Sequence, residues 1–240
     1  MQIYDIYEDA QREVPPLPFY LGERLLPVKG KMEICGAPGI MKSFLALGLG
    51  FCFATGQPWL EFPTMQVRTF LAHFEMSYEV EHERHTEMSR VYELEPGFFF
   101  GTNQKFTPLD IDIHFNRFKE AVASISPKVV ILDYWRCCYA GDENDSHEVA
   151  KFTSNLDIMI EELDLSIVLL HHSNKNPLYV SGLDKHSGSV ALPGWMDSVL
   201  YIARQPSGLQ LQFPKTRHVR QGMIHSINIA MENMQWVRRR

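Results

Sequence analysis

The segment Gly36-Ala37-Pro38-Gly39-Ile40-Met41-Lys42-Ser43 constrains this chain more than any other. A strand-like run, Lys31-Met32-Glu33-Ile34-Cys35, precedes it, and an apolar, helix-compatible run over residues 44–54 follows it. A glycine-rich turn between a strand and a helix, closed by Lys-Ser, is the context of a phosphate-binding loop. Backbone N–H groups in such a turn curl around phosphate oxygens, and the helix N-terminus turns its positive dipole end toward the same anion. The predicted cradle takes in Gly36, Ala37, Pro38, Gly39, Ile40, Met41, Lys42, Ser43 and Phe44. Lys42 would reach the terminal phosphates as a point charge, and the Ser43 hydroxyl would bind Mg²⁺. One position departs from the G-x-x-x-x-G-K-[ST] pattern, because Met41 stands where the second glycine belongs. Met is confined to ordinary backbone regions, whereas glycine takes positive φ at no steric cost. Two readings follow: a non-standard phosphate loop, or a glycine-rich turn that binds nothing.

Beyond the loop, apolar runs of strand length alternate with helical patterns. Residues 67–74 read as a second strand, 78–94 as a charged helix stopped by Pro96-Gly97, and 98–100 as a short strand. Residues 111–125 have helical spacing through Phe115, Phe118 and Val122. The run 129–132 is wholly apolar and ends in Asp133. Residues 146–163 read as a helix capped by Ser146, and 166–170 as a buried strand ending in His171-His172. Wholly apolar strands separated by helices predict a mainly parallel twisted sheet flanked by helices. The last third changes character: 198–203, 209–213 and 223–229 read as strands joined by short turns, an antiparallel extension at one sheet edge. Residues 1–18, polar and then proline-rich, read as an arm or linker, and 19–240 as one α/β domain. The arm is either a tail or a segment that packs on a neighbouring subunit.

A net charge of −6 argues against a generic basic nucleic-acid coat and leaves room for a local basic channel. The four cysteines lack zinc-type spacing, and Cys137 and Cys138 are adjacent, which points to a reduced, cytoplasmic compartment. The longest apolar run is too short to span a bilayer, so no membrane partner is expected.

Ligands of such sheets gather at the carboxyl ends of the strands. Asp133 after four apolar residues is a Walker B arrangement, in which the strand delivers a carboxylate to the Mg²⁺ shell; a strand-terminal turn cap is the bland alternative. Glu75 follows the second strand and would polarise an attacking water, or merely sit at a helix N-terminus. His172, nearer the following loop than His171, is the candidate γ-phosphate sensor, while His171 also reads as a buried, satisfied histidine. Adjacent histidines on a strand point to opposite faces, which disfavours a shared zinc. The long polar segment 173–189 would carry Lys175 and Lys185 to the phosphates of a threaded nucleic acid, unless it is a solvated surface loop. Lys215 and Arg217 lie in a basic strand-turn-strand tip, able to reach a neighbour's nucleotide or simply to protect an edge strand. Arg238-Arg239-Arg240 reads as a solvated tail, or alternatively as a hold on nucleic acid, and the Tyr134-Trp135 pair as a stacking surface for a base or a subunit.

In this order the motifs resemble the RecA-like P-loop ATPases of the hexameric RepA/DnaB helicase type, the AAA_25 family. The resemblance spans about 18–237 and rests on the phosphate loop, Gly56-Gln57-Pro58-Trp59-Leu60, Phe74-Glu75-Met76-Ser77, the strand ending in Asp133, and Gly141-Asp142-Glu143-Asn144-Asp145. It continues through His171-His172-Ser173, Gly188-Ser189-Val190-Ala191-Leu192 and Trp195-Met196-Asp197-Ser198. It implies that Glu75 is the catalytic carboxylate, His172 the sensor, and Lys215-x-Arg217 a pair acting on the adjacent subunit's nucleotide. It further implies ATP and Mg²⁺ as cofactors, a ring of identical subunits, most simply a hexamer, and single-stranded DNA through its centre. Other replication proteins would be partners, in a bacterial, phage or plasmid setting. Against the resemblance, the sequence is expected to carry no primase-type N-terminal domain and reads as short for a complete replicative helicase. The expected function is thus an ATP-driven translocase. Its rivals are a recombinase-like or loader ATPase and a nucleotide-gated regulatory protein without unwinding activity.

Overall fold

The computed structural model describes residues 3–173, 191–220 and 223–239. In chain order it contains α1 (Ile6–Ala10), β1 (Phe19–Leu21), β2 (Leu26–Pro27), β3 (Lys31–Gly36), α2 (Lys42–Thr55), β4 (Thr69–His73) and α3 (Tyr78–Val91). There follow β5 (Phe99–Thr102), α4 (Asp112–Ile125), β6 (Val129–Asp133), α5 (Ser146–Leu163), β7 (Ser166–His172), α6 (Ala191–Trp195), β8 (Ser198–Gln205), β9 (Gly208–Thr216), β10 (Ile227–Glu232) and β11 (Gln235–Arg239). Nine strands form one sheet in the order β11-β10-β9-β8-β3-β7-β6-β4-β5. The six strands from β8 to β5 are parallel, and β9, β10 and β11 add an antiparallel wing. This is the expected RecA-like α/β architecture.

Both faces of the middle of the parallel region are covered, which is why β4, β6 and β7 carry no polar alternation. Every residue of β4 and of β6 is buried. On one face, Leu45, Leu49, Phe51 and Phe53 of α2 join Met88 of α3 and Leu21 and Leu26 of the β1–β2 hairpin. On the other, Phe115 and Phe118 of α4 meet Phe152, Leu156 and Met159 of α5 and Leu192 of α6. The helix α2 is apolar nearly all round because it lies in the middle of its layer. Each buried leucine or phenylalanine there contributes about 1.5–3 kcal/mol relative to exposure. Two glycines let neighbours approach α2 closely: a Cβ at Gly50 would come within 2.4 Å of Phe99, and one at Gly48 within 2.9 Å of Trp236.

Several boundaries differ from expectation. Asp145, and not Ser146, caps α5: its carboxylate accepts from the backbone N–H groups of His147 and Glu148. Ser146 is the first helical residue. The third C-terminal strand begins at Ile227, after residues 223–226 have passed without strand pairing. Arg238 and Arg239 are not in a solvated tail; they belong to edge strand β11 and pair with Glu61 and Glu232. The alternation of β11 with β10 is masked in the sequence by this run of cations, which suits an exposed edge. Within the predicted arm, α1 forms without burying any residue, and Ile3, Ile6 and Tyr7 are exposed. All four cysteines are free thiols. Among the described residues no helix is long and apolar enough to cross a membrane.

Candidate functional site

Four parallel strands, β3, β7, β6 and β4, end side by side, and a cleft of about 630 Å³ opens above them. Its lining includes Pro38, Gly39, Met41, Lys42, Ser43 and Phe44 from the glycine-rich turn and Glu75 from beyond β4. Asp133 from β6 and His172 from β7 line it as well, whereas Gly36, Ala37 and Ile40 of the predicted cradle do not. Thus residues spread over much of the sequence meet because parallel pairing aligns their strand ends.

The turn takes the shape of a phosphate loop in spite of Met41. Met41 has φ 69° and ψ 24°, the left-handed conformation that glycine would adopt there. Its side chain is partly exposed and lines the cleft, and its left-handed backbone is a conformation that costs a residue with a Cβ. Gly39 is also left-handed at φ 73°, with open space where a Cβ would be. Lys42 follows at the start of α2. Its Nζ donates to the carbonyls of Gly36 at 2.9 Å and Ala37 at 3.0 Å, and lies 2.9 Å from His172 Nδ1. Burial lowers the Lys42 pKa to about 8, against the opposing pull of Asp133, Cys35 and Glu75. An anion in the cradle would restore the charge that burial weakens.

The two histidines of β7 diverge as alternation requires. His172 faces the cleft and meets the Tyr134 ring edge-on, with centroids 4.4 Å apart. His171 faces the opposite layer, where Nδ1 lies 2.8 Å from Glu33 Oε1 and the ring packs edge-on against Trp135. The buried-histidine reading holds for His171. Trp135 itself is fully buried against Tyr139, so it offers no stacking surface to a base or a subunit; Tyr134 is the cleft-lining member of that pair.

Three contributors escaped the sequence reading. His73 ends β4 level with Asp133 on β6. Its Nε2 lies 2.7 Å from Asp133 Oδ2, and its Nδ1 meets Glu81 Oε1 of α3. Burial opposes charge on His73, but Asp133 and Glu81 together leave its pKa raised. Burial also raises the pKa of Glu81. Arg84, one turn beyond Glu81, lines the cleft with its guanidinium 4.1 Å from the Phe44 ring centroid. The signal for Glu81 and Arg84 was present as helical spacing with Met88, which puts all three on the inner face of α3. Nothing local marked His73, whose significance depends on which strand lies beside β4.

Lys215 and Arg217 do not join this cleft. The strand β9 runs antiparallel to β8, so its last residues lie level with Ser198, near the start of β3 and at the opposite end of the sheet from the glycine-rich turn. Arg217 Nη1 donates to Asp197 Oδ1 at 2.7 Å, and Nη2 donates to the Gly194 carbonyl. Lys215 Nζ donates to the carbonyls of Pro193 and Gly194. Asp197 also accepts from the backbone N–H of Lys31, so one buried carboxylate ties the basic tip to the first residue of β3. Lys175 and Lys185 lie outside the described residues.

The donor set fits a magnesium nucleotide. Glycine-rich backbone and the start of α2 meet phosphate chemistry, while the Ser43 hydroxyl and the Asp133 carboxylate are hard oxygen ligands. A family model described as an AAA domain matches residues 4–177. The matched span holds Lys42, Glu75, Asp133 and His172 and ends before Lys215 and Arg217. No curated protein matches the chain.

Proposed function

The chain belongs to the AAA_25 family of AAA-domain P-loop ATPases, and on that premise we propose that it is a ring-forming motor that hydrolyses ATP and translocates on single-stranded DNA. The observation that carries the reading is the convergence of Lys42, Ser43, Glu75, Asp133 and His172 on one cleft. Lys42 leaves its loop carbonyls and binds the terminal phosphates. Ser43 and Asp133 would hold Mg²⁺, which would neutralise phosphate charge. Glu75, exposed at the rim, orients and polarises the attacking water. Arg84 supplies a second cation to the same cleft. His172 touches both Lys42 and Tyr134, so loss of the γ-phosphate at Lys42 is felt at the end of β7 and by the segment after it.

Shared sites are supported by the remoteness of Lys215 and Arg217 from their own cleft. A cation that serves hydrolysis from there serves it in a neighbouring subunit. The side chain of Arg217 is about half exposed even in its pairing with Asp197, so exchange of partners requires no unpacking. In this reading segment 173–189, with Lys175 and Lys185, contacts the DNA backbone, and the ring is a hexamer that works beside other replication proteins.

ATP turnover with and without single-stranded DNA, at low salt and across protein concentration, tests the proposal. Turnover per subunit that rises with both supports a DNA-engaged assembly with shared sites. Turnover indifferent to both would sink the motor and leave a self-contained switch ATPase. Electron micrographs with DNA and an ATP analogue separate closed rings from the filaments of a recombinase-like or loader ATPase.

A further inference from the structure

The cleft's metal-binding carboxylate is held from behind by a buried chain of side chains. Asp133, His73 and Glu81 have side-chain exposures of 4%, 7% and 7%. His73 sits between the two carboxylates, one on each ring nitrogen. A carboxylate on a strand end can rotate about its last bond. A hydrogen bond to Oδ2 removes that freedom, and the second bond, from the other ring nitrogen, fixes the imidazole that makes the first. The same helix that supplies Glu81 carries Arg84 into the cleft.

We propose that His73 is a positioning residue for Asp133, with Glu81 as its anchor, so that the orientation of the metal-binding carboxylate and the seating of Arg84 on α3 are set together. The inference rests on the reading of the cleft as a Mg²⁺-nucleotide site. The imidazole itself touches neither nucleotide nor metal; it acts through Asp133. Partners in this outer position typically change metal affinity by about 10–100-fold when removed. A purely structural histidine would instead change stability and leave the metal requirement alone.

The experiment measures binding of a fluorescent ADP analogue while Mg²⁺ is titrated, and the same binding in EDTA, with melting temperature recorded for each protein. In the wild type, Mg²⁺ tightens binding; if it does not, the nucleotide-site reading falls and this inference falls with it. His73→Leu fills similar volume without a donor, and its half-saturating Mg²⁺ rises about tenfold while affinity in EDTA stays unchanged. His73→Gln returns an N–H toward Asp133 and recovers most of the shift. Glu81→Ala leaves His73 in place but unanchored, and gives a smaller shift in the same direction. It also carries the test if His73→Leu does not fold. With a Mg²⁺-responsive wild type, an unchanged Mg²⁺ midpoint in folded His73→Leu, or in Glu81→Ala when His73→Leu does not fold, overturns the proposal. Equal weakening with and without metal overturns it too.

Discussion

His73 and Asp133 are cross-strand neighbours at the ends of β4 and β6, and their side chains meet at 2.7 Å. The pairing turns a single strand-end carboxylate into part of a buried array that reaches through Glu81 to α3. It connects the proposed metal position to the helix that flanks the cleft, and it ties together elements whose residues are far apart in sequence.

Glu75 stands at the cleft rim, exposed and one residue beyond the buried Phe74. Its proposed work is on water, not on nucleotide binding. Glu75→Gln should therefore lower kcat by about 10²–10⁴-fold and leave ADP and ATP affinity within about twofold. Single-turnover hydrolysis measured beside equilibrium binding separates these effects. A parallel loss of affinity would show that Glu75 holds the ligand and does not act on water.

Met41 occupies left-handed backbone at φ 69°. That conformation costs a residue with a Cβ about 1–2 kcal/mol, while glycine loses about 0.5–1 kcal/mol more chain entropy on folding. Met41→Gly should thus be neutral to stabilising, by up to about 1.5 kcal/mol, and should still bind nucleotide. Urea unfolding midpoints check the stability, and a marked loss would mean that the methionine side chain makes contacts that matter.

Lys42 has its pKa lowered to about 8 by burial. Below that pH the ammonium is charged in both folded and unfolded chains and is less favourably solvated in the fold. Between about 8 and its ordinary value of 10.5, the unfolded chain binds more protons, so stability contributed by this site rises with pH. Lys42→Met should accordingly melt higher than the wild type at pH 7, with the gap closing as pH rises toward 10.5. The same variant should lose ATP hydrolysis altogether. Melting curves without nucleotide across pH test the sign; a gap that widens with pH contradicts it.

Gly50 lies where α2 crosses β5, and an added Cβ would fall 2.4 Å from Phe99 Cζ and 3.2 Å from Ile131 Cδ1. Better helix propensity in Gly50→Ala recovers about 1 kcal/mol, but overpacking costs about 1–3 kcal/mol. The expected result is net destabilisation by up to about 2 kcal/mol with nucleotide binding retained in the folded fraction. Denaturant unfolding measures it.

What could be read from the sequence followed the range of the forces involved. The phosphate loop was legible because strand, turn and helix are contiguous, and Lys42 and Ser43 follow the turn directly. Asp133 and His172 were legible because four or more apolar residues lead to each, and a buried strand delivers its last residue to a known end of the sheet. The left-handed Met41 was not, since a methionine gives no sign that its surroundings impose glycine's conformation. The His73–Asp133 contact needed the order of strands, which no local pattern contains. The cap at Asp145 was displaced by one residue because Asp and Ser are both good caps, and only geometry tells which side chain reaches the free N–H groups. The strand β11 was hidden by arginines that pair with Glu61 and Glu232 on a solvent-facing edge.

On the proposed reading each nucleotide is served by two subunits, and mixing two inactive variants is the sharpest test of that sharing. Lys42→Ala lacks the phosphate-binding cation and keeps Arg217; Arg217→Ala keeps the cradle and lacks the trans cation. Each alone should be inactive, with Arg217→Ala still binding nucleotide and losing about 10³-fold or more in turnover. Mixed in equal amounts, they should regain hydrolysis, because a cradle from one subunit then meets an arginine from the other. Failure of the mixture to regain activity, or normal turnover by Arg217→Ala alone, would contradict the shared site.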